Sequence, residues 1–410
     1  VSALSLYRAA GRLAAPGLGL MLTRRAARGK EDPARLAERR GVSDLPRPPG
    51  RLVWFHAASV GETLSIMPVI EAIAEGAEVL LTTGTLTSAR LAAARLPASA
   101  RHQFVPLDTP GWSAAFLDHW QPSIAVFAES ELWPCLLDGC DARGIPRVLI
   151  NARMSARSAA NWARLAALRR RVLGLFRYIH AQSAGDAQTL RGLGLTDILE
   201  WGNLKFFAPA LPVDEAMLAA FRAEIRGACW LAASTHPGEE EIIIAAHQQL
   251  LAAYPELVTI IVPRHPERGG AIAAMAAAPR RSEGQKPVAG RVYVADTLGE
   301  LGLFFRAAPF AFIGNSLIGF GGHNLVEPAL LARPVITGPH TENFVEAAAR
   351  LGQAGALVEV TDATTLAGAV RAWLDEPAAA AKAGQAAAAA FDEDETLPQR
   401  LATLILECAL

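Results

Sequence analysis

From residue 51 onward the chain alternates short apolar runs rich in β-branched residues with longer segments of helical spacing, a rhythm that few folds accommodate. In the first half the runs are RLVWFHAA (51–58), EVLLTTGT (78–85), HQFVPLD (102–108), IAVFAES (124–130), RVLINAR (147–153) and YIHAQS (178–183). In the second half they are CWLAAST (229–235), VTIIVPR (258–264), VYVADT (292–297), FAFIGNS (310–316), PVITGP (334–339) and ALVEV (356–360). Segments such as 214–227 and 238–253 carry the apolar spacing of helices that cover a sheet. Strands buried on both faces and separated by helices pair in parallel. Six runs in each half therefore predict an α/β chain of two doubly wound, Rossmann-like domains.

Length agrees, since 410 residues exceed one ordinary core, and a composition 51% hydrophobic and 19% charged can bury two. The expected division is a segment 1–40, a domain 41–205, a linker 206–213, a second domain 214–385, and a helix within 386–410 that packs back on the body. The formal charge of −1 argues against a chain that coats nucleic acid. Cys135, Cys140, Cys229 and Cys408 are too few and scattered for a disulfide framework or a zinc site, and read as buried thiols in a cytosolic setting.

Residues 1–40 hold nine Arg or Lys against three Asp or Glu. The apolar stretch 3–23 is interrupted by Arg8 and Arg12, and Arg24, Arg25, Arg28 and Lys30 follow it. Its uncharged part, Leu13 to Thr23, is 11 residues and contains Pro16, too short for a bilayer span. A monotopic anchor on an anionic membrane surface fits this pattern, and so does an amphipathic helix packed on the first domain.

In doubly wound sheets ligands bind beyond the carboxyl ends of strands. Three such places repeat one pattern: Ser59-Val60-Gly61-Glu62, Thr297-Leu298-Gly299-Glu300, and Asn324-Leu325-Val326-Glu327 after the loop Gly319-Phe320-Gly321-Gly322-His323. Each reads as a helix start, either a capping box or an amino terminus that takes an anion. Arg264-His265 and Asn203-Leu204-Lys205 place cations at the same rims, where an arginine can hold phosphate oxygens in pairs. Glu129 and Glu131 straddle Ser130, so at most one of them is expected to face a cleft. His56, His236, His323 and His340 lie at strand ends or loops without metal-ligand spacing, and read as structural or hydrogen-bonding. Asp392-Glu393-Asp394 follows no strand and reads as a solvated helix start. No phosphate-binding Walker or three-glycine dinucleotide motif is present.

Nine motifs in order carry a resemblance: HAASVGE (56–62), ESELWP (129–134), NARMSARS (151–158), GNLKF (202–206), ASTHPGEEE (233–241), PRHPER (263–268), DTLGELG (296–302), GGHNLVEPA (321–329) and GPHTENF (338–344). Together they resemble the 3-deoxy-D-manno-octulosonic acid (Kdo) transferases of lipopolysaccharide synthesis over nearly the whole chain. The resemblance implies a GT-B fold, two Rossmann-like domains facing a cleft. It implies an inverting transfer of Kdo from CMP-Kdo to the tetraacyl lipid A precursor, at the cytoplasmic face of the inner membrane, with release of CMP. By the same resemblance Glu62 is the general base, expected to be kept ionised by its helix amino terminus, and Glu129 and Lys205 support the transition state. Donor contacts implied are Pro263 and Arg264, then Leu298, Gly299 and Glu300, then Asn324, Leu325, Val326 and Glu327, with Glu327 taking ribose hydroxyls. No cofactor and no essential metal are expected, because helix amino termini and Arg264 can take the leaving phosphate. Phe207 stands where the family often has Asp, and Ser130 where Thr is more usual.

Two other classes compete. A nucleotide-sugar 2-epimerase shares the fold but would bind UDP and need no basic apolar anchor. A two-lobed solute-binding protein would need an export signal, which this sequence does not display.

Overall fold

A computed structural model describes residues 3–207, 210–319, 321–392 and 396–409. The chain divides into two compact units, residues 1–208 with 393–410, and residues 209–392. In the first, β1 (Leu52–His56), β2 (Glu78–Thr83), β3 (Ala100–Phe104), β4 (Ile124–Ala128), β5 (Arg147–Ala152), β6 (Tyr178–Ala181) and β7 (Ile198–Leu199) form one sheet in the order β3-β2-β1-β4-β5-β6-β7. In the second, β8 (Cys229–Thr235), β9 (Val258–Pro263), β10 (Val292–Val294), β11 (Ala311–Ile313), β12 (Val335–Thr337) and β13 (Leu357–Glu359) take the order β10-β9-β8-β11-β12-β13. All these strand pairs are parallel. Each unit is thus a doubly wound, Rossmann-type sheet, and the twelve expected runs all contribute strands. The two-residue β7 is an addition that sequence periodicity does not reveal.

Side-chain alternation builds a core on each face of the first sheet. Leu52, Trp54, Leu80, Ala125, Phe127 and Leu149 join one cluster, while Val53, Phe55, Val79, Leu81, Ile124, Val126, Val148 and Ile150 join the other. Register fixes this, since Trp54 lies beside Leu80 on one side and Ala125 on the other. Ile66, Val69, Ile70 and Ile73 of the helix Val60–Ala74 cover the second face, as do Leu397, Leu401 and Ile405 of the helix Leu397–Cys408. That last helix therefore completes the first unit, although residues 386–392 lie in the second. The segment expected as a linker begins inside the first unit. Phe206 is buried, Phe207 packs on the second-face cluster, and Ala208 and Pro209 lie outside the described residues. The four cysteines are free and buried.

The helix Ala3–Ala27 is seated on the first unit by Leu4 and Leu22, which are buried, and by Arg8, which donates to Asp138 at 2.7 Å. Tyr7 donates to Asp108 at 3.0 Å. Leu6, Leu13, Leu20 and Met21 of the same helix stay exposed. No helix among the described residues is long and apolar enough to cross a membrane.

Candidate active site

Strand order in the first sheet reverses between β1 and β4, and in the second between β8 and β11. Loops leaving neighbouring strands at such a point diverge and open a crevice at their carboxyl ends.

At the first reversal, Ser59 leaves β1 in extended conformation and caps the helix Val60–Ala74 by accepting from the Glu62 N–H. Glu62, three residues on, reaches back: one carboxylate oxygen accepts from the Ala58 N–H and the other from the Ser59 hydroxyl, each at 2.8 Å. The capping reading therefore holds at the residue that the resemblance implies as the base. Gly61 beside it is exposed, and a Cβ there would meet nothing within 4 Å. The approach to Glu62 is open on that side.

Directly after β4 stands Glu129, whose φ of 50° is left-handed, a strain of about 1–3 kcal/mol that turns the chain sharply after the strand. Its carboxylate meets the Lys205 ammonium at 2.7 Å, with both side chains mostly covered. Lys205 is delivered by two asparagines. Asn151 at the end of β5 accepts from the Leu204 N–H at 3.0 Å, and Asn203 accepts from the Lys205 N–H at 3.0 Å. Thus the NARMSARS and GNLKF motifs, some fifty residues apart, serve one turn.

Glu131 also faces this point, contrary to the expectation that only one of the straddling carboxylates would. It lies 3.3 Å from the Nε2 of His56, which is fully buried, and accepts from the Trp133 indole N–H at 2.6 Å. His56 is oriented by Thr82, whose hydroxyl lies 3.0 Å from Nδ1. Burial pushes the Glu131 carboxyl up, but His56 and Trp133 together hold it below the usual range. Glu62 moves the opposite way. Burial, then the charges of Glu131 and Glu129, raise it above the ordinary carboxylate value, and the bonds from Ser59 and Ala58 offset only part. The expectation that a helix amino terminus would depress Glu62 is corrected, because two neighbouring carboxylates and lost water outweigh one capped helix end.

In the second unit, buried Glu239 ties the two strands of the reversal together. Its carboxylate accepts from the N–H groups of His236, Asn315, Ser316 and Leu317 at 2.7–3.0 Å. Arg264 follows β9 and is exposed, with its N–H bonded to the Thr235 carbonyl at 3.1 Å. Its guanidinium acts on Glu327, whose carboxyl burial pushes up to about 7 against the pull of the Asn324 side chain and Arg264. Pro263, Arg264, Asn324 and Glu327 thus belong to one neighbourhood.

The other helix starts differ from expectation. The helix Val326–Leu330 begins two residues after Asn324, with Leu325 at the cap position, and Asn324 accepts from the Val326 N–H at 3.0 Å as a local turn. The helix Leu301–Ala307 begins after Glu300, so Thr297 does not cap it. Glu300 instead accepts from Arg281 at 2.6 Å and from the Thr297 hydroxyl, and Arg281 holds its pKa below the usual range. It borders a cavity of about 360 Å³ shared with Glu224, Lys286 and Tyr293. Leu298 is exposed and Gly299 is left-handed at φ 84°. No contact joins Glu300 to Arg264 or Glu327 among the described residues. Of the Asp392 motif, Glu393 and Asp394 lie outside the described residues, as does Phe320. No group of three or more His, Cys, Asp or Glu among the described residues is placed to hold a metal ion.

Sequence reading missed a second basic stretch. Between residues 142 and 185 stand nine arginines and no acidic residue. Arg157, Arg164 and Arg170 of the helices Ala156–Arg164 and Ala166–Val172 are exposed, and Leu165 between these helices is 45% exposed. Asp138 joins this stretch to the amino-terminal helix, accepting from Arg171 at 2.8 Å as well as from Arg8.

A family model described as 3-deoxy-D-manno-octulosonic-acid transferase (kdotransferase) matches residues 34–208. A probable mitochondrial 3-deoxy-D-manno-octulosonic acid transferase of Arabidopsis thaliana is 37% identical over 386 residues, spanning 88% of this chain and 85% of that one. The 3-deoxy-D-manno-octulosonic acid transferase of Haemophilus influenzae is 34% identical over 389 residues, 90% of each. Among solved structures, UDP-GlcNAc 2-epimerase from Neisseria meningitidis bound to UDP-GlcNAc is similar at a TM-score of 0.60, covering 88% of this chain and 99% of that one. At 13% identity this last likeness speaks to the fold alone.

Proposed function

From the premise that the chain belongs to the 3-deoxy-D-manno-octulosonic acid transferase family, a family of glycosyltransferases with the GT-B fold, we propose that it moves Kdo from CMP-Kdo to the tetraacyl lipid A precursor and releases CMP. The observation that carries the reading is the set of three carboxylates at the first strand reversal, each in a different electrostatic state. Glu129 is paired with Lys205, Glu131 is held low beside His56 and Trp133, and Glu62 is raised. A carboxylate whose pKa is raised is, in its ionised form, a better proton acceptor than an ordinary one. Glu62 takes the proton of the acceptor hydroxyl as its oxygen bonds to the anomeric carbon, on the face opposite the departing phosphate. Inversion follows from that geometry. The Lys205–Glu129 pair supports the positive charge that develops on the sugar ring and its balance with the leaving group.

The second unit holds the nucleotide in this reading. Arg264 pairs with phosphate oxygens, and Glu327, which burial sets near neutrality, can both donate to and accept from ribose hydroxyls. Glu300 serves indirectly, since Arg281 already engages it.

The enzyme works at the cytoplasmic face of the inner membrane, lying in the interface. Support comes from the exposed leucines of the helix Ala3–Ala27, the cations Arg12, Arg24, Arg28 and Lys30, and the arginines of 157–170. Apolar residues flanked by cations suit an anionic leaflet.

The test is transfer from CMP-Kdo to the tetraacyl precursor with EDTA present, products weighed by mass spectrometry, beside a no-enzyme control and Glu62→Ala. A product heavier by whole Kdo units, at least a thousandfold slower to form with Glu62→Ala while CMP still binds, is expected. Weakened CMP binding with residual transfer by Glu62→Ala would remove Glu62 as the base. Product only without EDTA would show a need for a divalent ion.

A further inference from the structure

Beyond the residues assigned above, the second strand reversal carries a pair of histidines that sequence reading treated as separate and structural. His236 follows β8 directly, and His323 lies in the loop after β11. Their Nε2 atoms are 2.9 Å apart, with the rings stacked at a centroid distance of 5.1 Å and an interplanar angle of 25°.

The pair is built rather than incidental. Glu239 fixes the His236 N–H and the first turn after β11. Gly322, left-handed at φ 74°, donates to the Asn315 carbonyl at 2.8 Å, and the His323 N–H meets the Gly314 carbonyl at 3.3 Å. A Cβ on Gly322 would come within 2.9 Å of the His340 carbonyl oxygen, so the loop is held in a passage only glycine fits.

Two imidazoles in such contact share one hydrogen between their Nε2 atoms, and the Nδ1 atoms are then unlike: one carries hydrogen, the other a lone pair. Burial, the His236 ring, Arg264 and His265 hold His323 down to about 4. Burial, His265, Arg264 and Arg268 also lower His236, against the pull of Glu239. Among the described residues, Glu239, Arg264, His265 and Arg268 are the charged and titratable groups that act on the pair, and Arg264 acts on Glu327 as well. At neutral pH the pair is therefore uncharged but bordered by cations, and it gains a positive charge only if a new anion arrives.

We propose that His236 and His323 receive the phosphate of the departing CMP and take up one proton as they do so. This deepens the donor reading above and rests on it. When the bond from the anomeric carbon to the phosphate oxygen breaks, the electron pair stays on that oxygen, and a singly charged diester becomes a doubly charged monoester. A proton from solvent added to the pair gives an imidazole and an imidazolium with hydrogen on both Nδ1 atoms. The added charge on the phosphate is matched, and two donors face it beside Arg264. His236 and His323 would then act in the reaction by touching the leaving group.

The linkage gives the sign. Protonation of the pair favours CMP binding and CMP binding favours protonation, so affinity rises as pH falls, approaching about tenfold per pH unit where a whole proton is taken up. The window to use is pH 7 to 8.5, because a nucleotide phosphate with a second pKa of about 6 is already mostly doubly ionised there.

The experiment is calorimetric titration of the full chain with CMP and with cytidine, at several pH values and in buffers of different ionisation enthalpy, with His323→Gln and His236→Asn alongside. Expected are proton uptake on CMP binding but not on cytidine binding, and CMP affinity that is flat with pH in both variants. Arg264→Ala should weaken CMP at every pH without flattening the profile. CMP binding without proton uptake in the unaltered protein, or with undiminished uptake in both variants, would overturn the pair's role while leaving the donor site standing. No CMP binding at all would defeat the donor reading and this one with it.

Discussion

Glu131 is the residue on which the pH behaviour of the first-unit site turns. It raises Glu62 by charge while being held down itself by His56 and Trp133, so it stands between a buried histidine and the proposed base. Glu131→Gln removes one negative charge beside Glu62, and the acid limb of the pH profile of kcat/KM should move to lower pH. An unmoved limb would mean that Glu62 does not set it. Stability should respond in the opposite sense. A carboxylate whose pKa folding depresses contributes stability that is present above its unfolded pKa and lost as pH falls through the folded value. The variant should therefore be less stable at pH 7, with the difference closing in acid, as urea melts at several pH values would report. Gly61 tests access. Gly61→Ala adds a methyl group that meets nothing in the protein, so stability should hold or rise by up to about 1 kcal/mol, while transfer falls tenfold or more if the acceptor passes there. Unchanged transfer would place the acceptor's route elsewhere. Neither His56 with Glu131 nor His236 with His323 was legible as a pair. The members lie 75 and 87 residues apart, and only the reversal in strand order brings them together.

Elements were more legible than residues, for a physical reason. Strands buried on both faces must be apolar throughout, which marks them even without alternation, whereas β7 is two residues long and leaves no periodic trace. Helix starts were harder. Ser59 and Glu62 make the expected reciprocal bonds, but Arg281 competes for Glu300, and a cation 19 residues away cannot be foreseen from a capping pattern. The amino-terminal helix bears out one of the two readings that sequence left open, since it packs through Leu4, Leu22 and Arg8, and the proposed anchor rests on Leu6, Leu13 and Leu20, which stay outward seven residues apart. Such spacing keeps three side chains on nearly one face. Replacing these three by Ser should leave thermal unfolding unchanged and remove most binding to anionic vesicles in sedimentation, since each buried leucine is worth roughly 1.5–3 kcal/mol. Undiminished sedimentation would transfer the anchoring role to the arginines alone.

For the whole molecule, the division into two units predicts two responses. CMP at a hundredfold excess over its Kd should stabilise the unit that binds it by about 2.7 kcal/mol. Ending the chain after residue 392 should leave that transition in place and lower the other one. The first unit loses Leu397, Leu401 and Ile405 from a sheet face, on the order of 5 kcal/mol or more of apolar burial. Calorimetry with and without CMP separates the two, and loss of the CMP-responsive transition on truncation would contradict the assignment of the last helix. That helix has a consequence in time. A ribosome makes about 5–20 residues per second, so the strands of the first unit wait roughly 10–40 s, while residues 209–392 are made, before Leu397–Cys408 can emerge. The first unit is completed only after the second has been made, with one face of its sheet partly bare in the interval. Newborn chains of this protein should therefore be clients of holding chaperones until Leu397–Cys408 has emerged, whatever the stability of the finished fold.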